Sequence, residues 1–289
     1  MEDCPIPVFR NLLIADSGKG HVEEMVRMLQ DIPSLKAAGV SLLHVVPEQM
    51  QAGADDHRAE AEYLIQSAIT RMGLDPNRVK SIVREGDTKQ TVLKVAEEEN
   101  CDLIVMGSRG LGRLQSILAN STSQYVFQLS TRPMLLVRDD LYVRRVNRVM
   151  VTIDGTGVGE DALRTACEMV REIPDGVLTG VHVVAQATSP SRGGKSKADQ
   201  LLEAAAQKAR SYGIEFKPLT VEGQDIGRSV CRGAVECNAD LLVIASQDRR
   251  PLVARGLVDL DKLLGGSVSD YIRVHAPAPV LLVREPERN

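Results

Sequence analysis

The stretch Asp102-Leu-Ile-Val-Met-Gly-Ser-Arg-Gly-Leu-Gly112, continued by Leu114–Ser123 (LQSILANSTS), decides how this 289-residue chain is read. The apolar run from Asp102 to Met106 has the composition of a buried strand. Glycines follow it, then small hydroxyl residues, then an amphipathic segment. That order predicts a strand, a phosphate-sized loop and a helix N-terminus. Free backbone N–H groups and the helix dipole would then converge on an anion.

Around this stretch, strands and helices alternate. Residues 9–16 (FRNLLIAD) read as a buried strand ending in Asp16, and His21–Gln30 has helical periodicity. Gly39–Val46 is a second strand, Gln51–Arg71 a long helix and Val79–Arg84 a third strand. A helix over Thr91–Glu99 leads into Asp102–Met106. A helix over about 121–129 and a strand Met134–Arg138 complete the first half. Alternation at this spacing predicts an α/β fold with a doubly wound parallel sheet.

After a charged linker, Asp139–Val146, the order restarts. Arg148–Asp154 mirrors residues 10–16, again ending in Asp, and His182 stands 138 residues after His44. Asp240–Ile244 repeats Asp102–Met106 at the same interval, and Pro279–Arg284 repeats Pro133–Arg138. Ser267, Ser269 and Tyr271 follow Ser121, Ser123 and Tyr125 by 146 residues, which places an eight-residue insertion in the second glycine-loop region. Two domains, 1–142 and 143–289, are expected.

Composition narrows the function classes. A net charge of −4, with both signs interspersed, lacks the basic stripe of a nucleic-acid binder. No apolar run approaches the ~20 residues that cross a bilayer, and the N-terminal MEDCPIPVFRN has no signal-like apolar region. The expectation is a cytoplasmic protein bound to neither membrane nor nucleic acid. Five cysteines without CxxC spacing read as reduced thiols. Ser17-Gly18-Lys19-Gly20 lacks P-loop spacing, no GxGxxG follows the first strand, and no GxSxG or metal-ligand cluster occurs.

In a doubly wound sheet the ligand crevice lies beyond the carboxyl ends of the central strands. Asp16, Val45 and Met106–Gly112 all fall there. Asp16 suits an acceptor for a ribose or an adenine amino group, and equally a cap for the following turn. Val45 suits an apolar wall for a base, or ordinary core. Gly107 and Gly110 allow close backbone approach to a phosphate, and Arg109 between them can meet one or stay solvated. Ser121, Thr122 and Ser123 offer hydroxyls and amides to a polyphosphate, or simple helix capping. His44 and His182 read as structural.

With those residues in place, the chain resembles the universal stress protein family over nearly its whole length, in tandem two-domain form. The resemblance rests on a strand ending in Asp16, on Leu43-His44-Val45-Val46, on Asp102–Gly110 and on a G-x2-G-x9-G-[ST] pattern in which Asn120 replaces the third glycine before Ser121. It implies two tandem Rossmann-like (HUP-type) domains, each a five-stranded parallel sheet with helices on both faces. It implies a site for ATP, ADP or AMP, with Mg2+ accompanying ATP, at Ala15, Asp16, Ser17, Val45, Met106, Gly107, Arg109, Gly110, Asn120, Ser121, Thr122 and Ser123. In the second half Gly266-Ser267 retains the end of the motif, while Ser246 and Arg249 are read in place of the leading glycines. A diverged second site would comprise Asp154, Val183, Gly266, Ser267, Val268 and Ser269. Pairing through the last strands would give an intramolecular pseudo-dimer, with a further homodimer and an unidentified signalling partner as extensions. Asp16 and Asp87 are the only carboxylates nominated for catalysis, so at most weak ATPase activity is expected beside a regulatory role. The alternative is a scaffold that no longer binds nucleotide. Adenylyl transfer ranks last, because neither an SGGxDS loop nor a HxGH motif is present.

Overall fold

The computed structural model describes residues 8–16, 22–47, 54–108, 121–141, 145–185, 195–246 and 267–284. The chain divides into two compact units, Met1–Arg144 and Arg145–Asn289.

In the first unit the order is β1 (Asn11–Ala15), α1 (Glu23–Leu29), α2 (Pro33–Ala37), β2 (Gly39–Val46), α3 (Ala54–Met72), β3 (Val79–Glu85), α4 (Thr88–Glu98), β4 (Leu103–Ser108), α5 (Thr122–Leu129) and β5 (Met134–Arg138). The strands form a parallel sheet in the order β3-β2-β1-β4-β5. Leu13, Ile14, Ile104 and Val105 on the two central strands are fully buried, which is why these strands read as unbroken apolar runs. On the edge strand β3 only Ile82 is buried. Helix α3 packs against α1, β2 and β3, while α4 and α5 pack together on the other face.

The second unit repeats this plan with β6 (Arg148–Thr152), α6 (Gly157–Val170), β7 (Val177–Val184), α7 (Lys197–Ser211), β8 (Phe216–Glu222), α8 (Ile226–Glu236), β9 (Leu241–Ala245), α9 (Val268–His275) and β10 (Val280–Val283). Its parallel order is β8-β7-β6-β9-β10. Helices α6 and α7 pack on one face, and α8 and α9 on the other. The five-stranded fold expected for each half is what forms. Sequence reading had assigned neither α2, which starts with Pro33 in its first turn, nor α6, β8 and α8.

Two local devices recur. Helices α4 and α8 leave through Asn100 (φ 45°) and Asn238 (φ 50°), the residue type that best tolerates left-handed backbone after glycine. Asp102 and Asp240, each just before a central strand, hold the start of the neighbouring strand. Asp102 accepts from the amides of Arg10 (2.7 Å) and Asn11 (3.0 Å). Asp240 accepts from the amides of Asn147 (3.1 Å) and Arg148 (2.8 Å) and from the Arg148 guanidinium (2.7 Å), whose pKa it raises.

The register corrects the repeat. Asn11 pairs with Gly39 and Arg148 with Val177, so β1 and β6 correspond at an offset of 137, while β2 and β7 correspond at 138. Asp16 therefore stands where Ile153 stands, and the sequence match of Asp16 to Asp154 is one residue out. Likewise Gly107 pairs with Val137 and Ala245 with Val283, so the residue in the place of Gly107 is Ala245 rather than Ser246.

We expect Asp102→Ala and Asp240→Ala each to cost about 1–3 kcal/mol, because two amides at a strand start lose their acceptor. Calorimetry should show the transition of the affected unit falling by roughly 3–10 °C, and an unchanged transition would show that the carboxylate does not hold the strands. The cysteines give a second test. Cys101, Cys167, Cys231 and Cys237 form no disulfide among the described residues, and Cys4 lies outside them. Burial pushes the Cys101 and Cys167 thiols up to about 12 from the ordinary 9.0. At pH 8 both should resist iodoacetamide in the native protein and react once it unfolds, as read by mass spectrometry. The raised folded pKa also means that their stabilising contribution is complete below pH 9 and is lost between about 9 and 12.

Candidate functional site

In both sheets the chain order reverses beside the first strand, between β1 and β4 and between β6 and β9. Connections leave this point in opposite directions and open a crevice at the carboxyl ends. The crevice residues are the ones that end those strands.

In the first unit Ala15 ends β1 opposite Met106 of β4, which runs on to Gly107 and Ser108. The Asp16 amide donates to the Leu43 carbonyl (3.0 Å), and the Asp16 carbonyl accepts from His44 Nδ1 (3.2 Å). Asp16 is buried at 8% exposure. Val45 sits near the end of β2, half-buried. Ser121 caps α5, its Oγ accepting from the Gln124 amide (3.2 Å) and standing 3.4 Å from Ser123 Oγ. Thr122 and Ser123 lie in the first turn, where amides have no intrahelical acceptor. Ala15, Asp16, Met106 and Gly107 are thus brought together on adjacent strand ends. Helix α5, which carries Ser121–Ser123, packs on β4. Ser17, Arg109, Gly110 and Asn120 lie outside the described residues.

The second unit repeats the backbone scheme with Ile153 in the part of Asp16. The Ile153 amide donates to the Val181 carbonyl (2.7 Å), and its carbonyl accepts from His182 Nδ1 (2.6 Å). The two repeated histidines are therefore latches that hold the chain just past the central strand, as their structural reading anticipated. Asp154, one residue on, is exposed and turns toward α6. Its Oδ1 accepts from the Thr156 amide and hydroxyl (2.8 Å each), and Thr156 in turn caps α6 at the Gly159 amide (3.0 Å). Gly155 takes φ 75° to make this turn. A Cβ at residue 159 would fall 2.0 Å from Asp154 Oδ1, so only glycine leaves room for the carboxylate there.

Here a crevice of about 390 Å³ is open. Of the residues expected in the second site, Asp154, Val183, Val268 and Ser269 line it. Ser267 caps α9 at the Asp270 amide (3.2 Å) and its hydroxyl lies 2.9 Å from Ser269 Oγ. Gly266 and Arg249 lie outside the described residues. Sequence reading missed Thr156, Val158, Ile226, Val230 and Ile272, which also line the crevice. The Asp154-Gly155-Thr156 turn and Asp225 before Ile226 are helix-start signals that would have found the first and third of these.

A family model described as the Universal stress protein family matches residues 9–138 and again 145–284. The chain is 31% identical over 138 residues to Universal stress protein Sll1654 of Synechocystis sp., an alignment that spans 45% of this chain and 86% of that protein. It is 25% identical over 155 residues to Universal stress protein MJ0577 of Methanocaldococcus jannaschii, spanning 45% of this chain and 96% of that protein. Among solved structures, a universal stress protein from Archaeoglobus fulgidus shares the fold, with a TM-score of 0.73 at 22% identity over 96% of each chain.

The histidine latches are open to test. His182→Ala should cost about 1 kcal/mol and speed amide hydrogen exchange around Thr152–Asp154, with His44→Ala acting likewise at the end of β1. Exchange rates unmoved by either change would show that the latches do not hold these strand ends.

Proposed function

This chain belongs to the universal stress protein family, and from that premise we propose that it is a regulatory protein of a stress response that binds ATP, ADP or AMP in the crevice of its first unit. The observation that carries this reading is the start of α5. Its cap is the uncharged Ser121 and its first turn holds no acid, so the amides there and the dipole meet an incoming phosphate unopposed. Glycine at residue 107, where the second unit has Ala245, leaves the strand end beside it bare of side chain. Val45 supplies the apolar wall for the base.

Binding without efficient turnover fits the carboxylates. Phosphoryl transfer to water needs a group positioned to orient the nucleophile. Of the two nominees, Asp87 is committed to capping α4 at the Gln90 amide (2.9 Å). Asp16 is buried at the strand end. Mg2+ is assigned only to the phosphates of bound ATP. Among the described residues no three His, Cys, Asp or Glu side chains group to hold a metal ion.

Titration calorimetry on the full chain should give one nucleotide bound per chain. Thr122→Glu, which keeps an acid-tolerant helix start, should weaken ATP by on the order of tenfold, or about 1.4 kcal/mol. No heat with ATP, ADP or AMP at millimolar concentration would overturn the proposal in favour of a scaffold of the same fold.

A further inference from the structure

We propose that the crevice of the second unit takes an uncharged, nucleoside-sized molecule with a hydrogen-bond donor and turns phosphorylated ones away. This rests on the reading of the fold's crevice as a nucleoside site and concerns what distinguishes its second copy.

The 390 Å³ crevice is walled by aliphatic side chains, among them Val183, Ile226, Val230, Ile244 and Val268. Ile226 and Val268 are 51% and 43% exposed, so apolar surface is left uncovered at its mouth. Such walls suit a flat, neutral body.

The charges point the same way. Three helices start around this crevice, and each start already holds a carboxylate of the chain. At α6, Asp154 accepts from Thr156, and Glu160 lies in the first turn. At α8, the cap is Asp225, which accepts from the Arg228 amide (3.0 Å). At α9, Asp270 occupies the first turn, 3.3 Å from the Ser267 hydroxyl. The positive ends of the helix dipoles are thus met from within, and a phosphate would face carboxylates in place of open amides. Two of these acids have cationic neighbours. Arg228 approaches Asp225 at 3.5 Å from an exposed position, and Arg273 approaches Asp270 at 3.5 Å from beneath the helix. Neither arginine lines the crevice, and no lysine or arginine does so among the described residues.

The first unit is built otherwise at the equivalent helix. Gln124 stands in the place of Asp270 and Phe127 in the place of Arg273, so α5 has no acid at its start and an apolar residue below. Ala245 also carries a methyl group where the first unit has Gly107. What the second crevice retains is Asp154, exposed at its rim with Oδ1 engaged by Thr156, which can accept from an amine or hydroxyl of a neutral ligand.

The test uses the full chain labelled at isoleucine and methionine methyl groups, titrated in turn with adenosine, AMP and ATP. Ile153, Ile226, Ile244 and Ile272 line the second crevice and Met106 ends the first, so the two units are read separately. Adenosine should shift the four isoleucine methyls, with AMP and ATP at least tenfold weaker there. Asp154→Asn should weaken adenosine about tenfold. Replacing Asp270 with Gln and Arg273 with Phe together, which copies the first unit, should raise the AMP-to-adenosine affinity ratio about three- to fivefold. Adenosine that leaves these methyls unmoved at millimolar concentration, ATP that shifts them as readily, or an unchanged ratio in the double variant would each overturn the proposal. The response of Met106 to ATP tests the first-unit reading independently.

Discussion

Parallel strands cannot be joined by a hairpin. Each connection in this chain must return from the carboxyl end of one strand to the amino end of the next, and a helix makes the return. The first helix of each return therefore begins at the carboxyl edge of its sheet. That constraint gathers the amides and positive dipole ends of α4 and α5 at the carboxyl edge of the first unit, and those of α6, α8 and α9 at the carboxyl edge of the second. The scaffold supplies an anion-seeking edge whatever the side chains are. The side chains then decide what that edge meets: aspartate caps at α4 and α8 alike, serine and threonine at α5, and aspartates at α6 and α9.

The duplicated chain shows both outcomes on one backbone. The central strands of both units are equally apolar and equally buried, and both carry the histidine that fixes the strand end, so the frame has been kept. The units differ at the crevice, where Gly107, Gln124 and Phe127 correspond to Ala245, Asp270 and Arg273. None of these exchanges disturbs a strand pair, which is why the frame tolerates them.

Much of this was legible in the sequence. Unbroken apolar runs such as Leu12–Ile14 and Leu103–Met106 mark strands covered on both faces, and their alternation with helical periodicity marks the parallel sheet. The Ser-x-Ser starts of α5 and α9 were readable as caps. What was not legible is register. FRNLLIAD and RVMVTID align most naturally on their aspartates, but pairing is set by the backbone contacts of β1 with β2 and β4, and these place Asp16 with Ile153. One residue is enough to change a buried carboxylate into an exposed one. The edge strand β8 escaped notice for a related reason. With only Val221 buried, Phe216–Glu222 has too little apolar pattern to announce a strand.

Gly159 carries a consequence for how such a protein can change over generations. It lies in the first turn of α6, where alanine would favour the helix more, yet its bare backbone is what lets the Asp154 carboxylate rest against the helix start. A methyl group at that position would push the carboxylate outward and uncover the amides behind it. Asp225 and Asp270 would still hold the other two helix starts, while the helix that carries residue 159 would gain propensity. A change at this one glycine would thus alter the rim of the crevice without weakening the fold that holds it.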